Sequence, residues 1–320
     1  MRRLLLQREF GLVALILLTG GIVSAVDSGF LQPANLLDIL VRAAPAAIVS
    51  CGVMLVVATG EIDISVGSLM AVIAALMGVL LSSEHMAVSM WLGIPATLLA
   101  GTVIGAITGT LITVGRVPSI VVTLGLLTGL RGATTLVMGG DNIHGLPDTL
   151  AAAAKVGFVG IPLAIWVAVI VIATTAVLIR QTPLGLRLYA IGSSLHSAEM
   201  IGLSETKLKL FAFTFTGFLT AVATVVDIPR LPRIESGVGN GFELLVITCV
   251  VVGGVSINGG RGRLTGVLLA VVLMTMIRPV LTFLDVGEAA EKWTRAFQGG
   301  FILLAIVVDT LASRGKGGGP

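Results

Sequence analysis

Apolar stretches of membrane-spanning length recur along the whole chain and leave little polar sequence between them. Only 12% of the 320 residues are Asp, Glu, Lys or Arg, and 56% are hydrophobic. A soluble domain is about 25% charged, because a folded globule needs a polar surface. The mean hydropathy of +1.06 therefore excludes a soluble globule and predicts a chain that folds in lipid.

A membrane-spanning helix needs about 20 apolar residues. We therefore predict an all-α fold, a multi-pass transmembrane helical bundle of about ten spans that forms a single domain over residues 1–320. Short polar connections separate the predicted spans, so no boundary between domains is indicated. The predicted spans are 10–26, 43–59, 66–81, 87–114, 118–138, 159–179, 210–226, 242–257, 264–284 and 294–311.

Basic residues predict which ends of the spans face the cytoplasm. Three arginines precede the first span, which favours a cytoplasmic N-terminus, and ten spans return the C-terminus to the same side. An alternative is that 23–25 forms a signal-peptide cleavage site. The even-numbered connections and the C-terminus should then be cytoplasmic, and they carry Arg116, Arg180, Arg187, Lys207, Lys209, Arg261, Arg263, Arg314 and Lys316.

The connection at 60–65 does not fit this charge pattern, because it has two acids and no base. One interpretation is a re-entrant break between two half-helices, which lipid tolerates only where protein or a water-filled cavity receives the backbone. The other is a tight surface turn. Both remain open from the sequence, and the first would make the segment a lining of a transport path.

Polar residues within the apolar stretches are the candidates for such a path. Asp63, Arg131 and Asn240 are the three that we select. Arg131 could line the path or act as a clamp on backbone carbonyls and on an acid such as Asp63, and the clamp is favoured. Gly129 and Gly132 predict an interrupted helix around it.

Known catalytic and ligand-binding motifs are missing. The chain has no Walker A, H-E-x-x-H or G-x-S-x-G sequence, and its basic residues form no patch for nucleic acid. We therefore expect no catalytic residues, no metal site, no cofactor and no nucleic-acid partner. The cysteines and histidines are each read as structural or solvated residues: Cys51, Cys249, His85, His144 and His196.

Glycine spacing predicts one close helix contact. Gly101, Gly105 and Gly109 recur every four residues and so lie on one helix face. A face of this kind lets a neighbouring helix backbone approach closely. We assign these glycines to packing and not to function.

The connection at about 180–209 is the longest one placed in the cytoplasm, and it contains a short predicted helix. Ser194 suits the N-cap, and Gly202 suits the left-handed position after the helix end. The apolar residues between them recur at helical spacing. Their face is too small for firm lipid insertion, so docking into a groove of a cytoplasmic protein is favoured over packing on lipid headgroups or on the chain itself.

Five ordered motifs give the chain a family resemblance. TPLGLRLYAIGSSLHSAEMIGLSETKLKLFAFTFTGF, GEIDISVGS, VPSIVVTLGLLTGLRG, GNGFELLVITCVVVGGVSINGGRGRLTG and the span before Asp309 resemble membrane permeases of bacterial ATP-binding-cassette importers. The resembling branch imports ribose, xylose and autoinducer-2. The segment GGDNIHGLP at 139–147 looks most like the autoinducer-2 permeases.

The resemblance implies a permease of the bacterial inner membrane for a small sugar or sugar-like solute. It implies three partners: cytoplasmic ATPase subunits that use the ATP, a periplasmic solute-binding protein, and a second permease subunit, either identical or related. The short cytoplasmic helix would be the coupling helix, with Ala198 facing an apolar groove of the ATPase. The residues expected to couple the two proteins are Ile191, Gly192, Leu195, Ala198, Ile201 and Gly202.

Two other classes of function remain alternatives. An ion-coupled secondary transporter of small solutes would need no ATPase, but such proteins usually keep ionisable groups in their spans, and these are sparse here. A membrane scaffold or receptor would carry no solute. The break predicted at 60–65 argues mildly against the scaffold.

Overall fold

The structure is a computed structural model that describes residues 2–155, 157 and 159–314. Lys316, whose charge supported a cytoplasmic C-terminus, lies outside these residues. The described part has no β-strand and thirteen α-helices. These are α1 (Arg2–Val26), α2 (Pro33–Ala58), α3 (Val66–Leu81), α4 (Met90–Thr113), α5 (Ser119–Met138), α6 (Asp148–Lys155), α7 (Leu163–Gln181), α8 (Pro183–Ser193), α9 (Leu195–Met200), α10 (Glu205–Asp227), α11 (Phe242–Val252), α12 (Leu264–Phe283) and α13 (Ala290–Arg314).

Each of the ten predicted spans overlaps one of these helices, and the all-helical, multi-pass fold is confirmed. Seven helices of the described chain are long and apolar enough to cross a membrane, namely α1, α2, α4, α5, α7, α10 and α12. Two more, α3 and α11, are apolar but shorter. The tenth predicted span corresponds to α13.

The second span was predicted too short, because α2 begins at Pro33 and not at residue 43. The difference arises from Asp38 and Arg42, which make the first turns look polar in the sequence. In the structure Arg42 Nε lies 2.6 Å from Asp38 Oδ2, one helical turn away. Paired charges at this spacing are compatible with a helix.

Helix α2 forms the centre of the bundle. Its apolar window is 89% buried within the chain, against 11% for α5, which lies at the periphery. Residues of α2 pack in four separate hydrophobic clusters, with α7, α10, α11 and α12 among the helices around them. A displacement of α2 would therefore be felt throughout the fold.

The predicted glycine face on α4 is confirmed, and its partner is α10. A Cβ added to Gly105 would lie 2.5 Å from Phe213 O and 3.0 Å from Gly217 Cα. A Cβ on Gly101 would lie 2.7 Å from Gly217 O. The two backbones thus approach as closely as glycine allows.

Two ends of the bundle can be distinguished. At one end, which we call the α9 end, lie α8, α9, the C-terminus of α2 and the start of α10. The loop at 256–263 lies there too, and the Nη1 atom of its Arg263 is 3.5 Å from Oε2 of Glu9 in α1. At the opposite end Phe30 packs against Phe283, where α12 ends. The connections at 60–65, 180–209 and 256–263, which were predicted to be cytoplasmic, therefore share one end.

The close contact between α4 and α10 predicts a sharp cost for one added methyl group. Gly105→Ala should destabilise the protein by about 1 to 3 kcal/mol, because the new Cβ meets backbone that cannot easily move. Thermal unfolding in detergent would measure this. The matched control is Gly129→Ala on α5, where a Cβ meets nothing of the described chain within 4 Å and the midpoint should stay the same or rise. A Gly105→Ala midpoint at or above that of the unchanged protein would contradict this packing.

Candidate functional site

Helix α9 has the predicted position and caps. Ser194 Oγ accepts a hydrogen bond from Ser197 N over 3.3 Å at its start, and Gly202 follows its end at φ +79°. The connection also contains α8, which was not predicted. Its N-cap is Thr182, whose hydroxyl accepts from Gly185 N, and its first residue is a proline, which suits a helix start.

The structure places two residues of the predicted coupling set in the core of the chain, Ile191 of α8 and Ala198 of α9. Ala198 and Ile191 are each 3% exposed and belong to a core cluster of the chain itself, together with Leu55 and Leu208. They anchor the connection and present no surface to a partner. The exposed apolar residues beside them are Met200 at 77%, Ile201 at 74% and Leu195 at 37%.

Gly192, the second residue of the predicted set on α8, makes a backbone contact. It packs directly against the Ala58 carbonyl, where α2 ends, and a Cβ there would also lie 2.6 Å from Gly260 N. Gly260 N in turn donates to Ala58 O over 2.9 Å. The end of α8 is thus fixed to the end of α2 and to the loop at 256–263.

Tyr189 makes a second contact between α8 and that loop. Its hydroxyl donates to Gly262 O over 3.4 Å. Burial raises the pKa of Tyr189 to about 12, so the hydroxyl keeps its proton and remains a donor at neutral pH. Helices α8 and α9 are therefore held to the bundle as one unit, the α9 segment (183–202).

The segment 60–65 is non-helical and hydrogen-bonds to α5, which supports the re-entrant interpretation over the surface turn. Ile62 N donates to Ser119 Oγ over 3.3 Å, and Thr123 Oγ1 donates to Ile62 O over 3.4 Å. Asp63 is 4% exposed, and its Oδ1 accepts from Ser65 N and Oγ over 2.8 and 2.6 Å. Asp63 thus holds the turn into α3, and it faces protein and not a path.

Arg131 clamps backbone, as favoured, but its acidic neighbour is Glu243 and not Asp63. Its Nη1 donates to Val238 O over 2.6 Å, and Glu243 interacts with it electrostatically. Glu243 Oε2 is buried without a hydrogen-bond partner among the described residues, directly beside Gly67 of α3. The predicted interruption at Gly129 and Gly132 is wrong, since α5 runs unbroken from Ser119 to Met138.

Asn240 lines a polar cavity of about 500 Å³ at the end opposite α9. A second cavity of about 400 Å³ shares seven of its lining residues, so the two are continuous. Asp227 lies in both, and its Oδ1 is 3.2 Å from Arg230 Nη1. The shared lining residues are Asp227, Leu231, Phe242, Leu245, Arg278, Thr294 and Gln298.

This cavity has the size and lining of a small-molecule site. Such sites are usually 300 to 1,000 Å³ and combine apolar walls with a few polar groups. Here Asp227, Asn240 and Arg278 supply hydrogen-bond acceptors and donors, and Phe242 supplies an aromatic wall. Within the described residues, no group of three His, Cys, Asp or Glu side chains comes together to hold a metal.

Three features of the site were not predicted from the sequence. Asp227 and Arg230 are three residues apart at the end of an apolar stretch. This spacing could have predicted the ion pair between them. Lys209 forms an ion pair with Glu61, which is 148 residues away in the sequence. The only local signal for this pair was that the connection at 60–65 has two acids and no base. Arg278 lies within a predicted span, and nothing local relates it to Asp227.

An all-helical bundle with a polar cavity at one end and an anchored amphipathic segment at the other defines a multi-pass membrane permease. The sequence model of the family described as "Branched-chain amino acid transport system / permease component" matches residues 35–306. The chain belongs to this family.

Curated relatives agree with that assignment over nearly the whole chain. The ribose import permease protein RbsC of Haemophilus influenzae is 34% identical over 312 residues, which cover 96% of this chain and 94% of that protein. RbsC of Escherichia coli K12 is 31% identical over 95% of this chain and 94% of its own length. The autoinducer 2 import system permease protein LsrC of Photorhabdus laumondii is 31% identical over 94% and 89%.

The clamp at Arg131 predicts a measurable loss of stability when it is removed. Arg131→Met should lower the free energy of unfolding by about 2 kcal/mol, because it removes a charged hydrogen bond and leaves the Glu243 carboxylate unpaired. Adding Glu243→Gln should recover part of this loss. Thermal unfolding would measure both, with Arg233→Met as the control at an exposed ion pair, where the change should stay below about 0.5 kcal/mol. Equal stability of Arg131→Met and the control would show that the clamp is not structural.

Proposed function

We propose that the chain is the permease subunit of an ATP-binding-cassette importer for a small sugar or sugar-like solute. The observation that carries this proposal is the α9 segment, which is fixed to the core through Ala198 and Ile191 and exposes Met200 and Ile201. A small apolar patch on a rigid support suits docking into a groove. The relatives, which are permeases for ribose import and for autoinducer 2 import, support the solute class.

The proposed partners are those that such an importer requires. Cytoplasmic ATPase subunits bind the α9 segment and use the ATP, since the chain has no motif for a nucleotide of its own. A periplasmic solute-binding protein delivers the solute, and a second permease subunit completes the membrane part. The basic connections at the α9 end favour a cytoplasmic location for that end, and for both termini, in a bacterial inner membrane.

In this proposal, the solute binds in the polar cavity at the end opposite α9. A carboxylate such as Asp227 can accept hydrogen bonds from two hydroxyl groups of a sugar, and Asn240 and Arg278 can donate to its oxygens. The relatives that import ribose and autoinducer 2 match at nearly equal identity. A hydroxylated compound of a few carbon atoms is therefore the class that we propose, with both solutes as candidates.

Transport would follow a rigid-body movement that starts at the α9 end. ATP-driven closure of the ATPase subunits would push the docked α9 segment. Because α8 is fixed to the end of α2 through Gly192 and Gly260, the push reaches the central helix of the bundle. The chain itself contributes geometry and no chemical step.

The alternative of an ion-coupled secondary transporter makes the opposite prediction about energy. Proteoliposomes that contain only this chain should show no uphill uptake of ribose with a proton or sodium gradient. Addition of the ATPase subunits, the binding protein and ATP should produce uptake. Accumulation by the isolated chain under an ion gradient would refute the importer proposal.

Docking itself is tested on the exposed residues of the α9 segment. Ile201→Asp should weaken association with the ATPase subunits at least about tenfold, because a charge must then enter an apolar groove. Co-purification at graded concentrations would measure it. Met86→Asp is the matched control, since Met86 is 63% exposed at the opposite end and its variant should bind normally. Unchanged association of Ile201→Asp would contradict the assignment of this face.

A further inference from the structure

Lys209, near the start of α10, lies between two acids. Its Nζ is 2.5 Å from Glu61 Oε1 and 2.5 Å from Glu205 Oε1. Glu205 is one turn away on the same helix, whereas Glu61 is in the segment 60–65 between α2 and α3. The side chains of Lys209 and Glu61 are 11% and 17% exposed, so solvent screens this pair less than a surface pair.

On the lysine side, the pair is attached to the α9 segment. Ala198 O accepts from Leu203 N over 3.1 Å, and Ser204 caps the start of α10 through Lys207 N. Leu208, next to Lys209, packs in the same cluster as Ala198 and Ile191. A push on α9 therefore moves the first turn of α10 with it.

On the glutamate side, the pair is connected to the polar cavity that Asn240 lines. Glu61 lies in the non-helical segment 60–65, and Asp63 and Ser65 lead this segment into α3. Gly67, in the first turn of α3, packs against Gly239 and Glu243. Gly239 and Asn240 line the cavity, and so does Met70, one turn further along α3.

We propose that Glu61 and Lys209 are positioning residues that transmit movement of the α9 segment to the cavity. This proposal rests on the importer function proposed above and adds a specific route to it. The ion pair joins the start of α10 to the non-helical segment 60–65, which leads into α3. Without the pair, α3 would follow α10 only through apolar packing such as that of Leu69 and Ile73 on Ala221, so less of the movement would reach α3 and ATP would be hydrolysed with less solute moved.

The chain offers a matched pair of variants for this test. Glu61→Gln breaks the connection to α3 but leaves Lys209 paired with Glu205. Glu205→Gln removes the pair within α10 but keeps the connection to α3. The assembled importer, in proteoliposomes with ribose and the binding protein, is measured for ATP hydrolysed per ribose imported.

Glu61→Gln should raise that ratio about fivefold or more, while Glu205→Gln should leave it close to the unchanged value. The double variant Glu61→Lys with Lys209→Glu should restore coupling. The lysine introduced in the segment 60–65 would then face two acids on α10, namely Glu205 and the one introduced at position 209. Thermal unfolding of the permease checks that all variants are folded. Glu61→Asp serves as a second variant, since it keeps the charge but withdraws it by one methylene group, and it should raise the ratio in the same direction.

An equal ratio in Glu61→Gln, Glu61→Asp and the unchanged importer would overturn the proposal. An equal rise in Glu61→Gln and Glu205→Gln would also overturn it, since the route through α3 would then have no special role. These results leave the importer function intact. That function fails separately, if the unchanged assembly does not import ribose or autoinducer 2 with ATP.

Discussion

The fold depends on hydrogen-bonding the backbone of 60–65, which is not helical and connects α2 to α3. Lipid offers no hydrogen bonds, so each peptide group of such a segment must find a protein partner. The partners are hydroxyls of α5 for Ile62 and the Asp63 carboxylate for the turn into α3. Because these contacts fix where α3 begins, they also fix its contact with Gly239 and with the wall of the polar cavity.

The general fold could be predicted from the sequence because lipid imposes one rule on every span. Apolar stretches predicted ten spans that each overlap a helix, seven of them long and apolar enough to cross a membrane, and the glycine spacing predicted the face of α4 that meets α10. The start of α2 was missed because an Asp38–Arg42 pair within one helix looks polar in sequence. Helix α5 was expected to break at its glycines, but exposed glycines do not interrupt a helix whose hydrogen bonds remain intact.

The candidate site was less predictable, because its parts come together over long separations. The caps of α9 are local, so Ser194 and Gly202 were found. Whether Ala198 faces a partner or the core depends on Leu55 and Leu208, which no local pattern relates to it. Asp227 and Arg278 line the same cavity although they lie on different helices, α10 and α12. Membership of the permease family supplied what local patterns could not, which is the kind of partner that the exposed face of α9 would meet.

The central claim is that a push at the α9 end reaches the cavity through the backbone of 60–65. Hydrogen–deuterium exchange of the assembled importer, with and without a non-hydrolysable ATP analogue, measures this most directly. The account predicts that nucleotide changes exchange in α9, in 60–65 and in 236–241 together. A change confined to α9, with the other two segments unaffected, would contradict it.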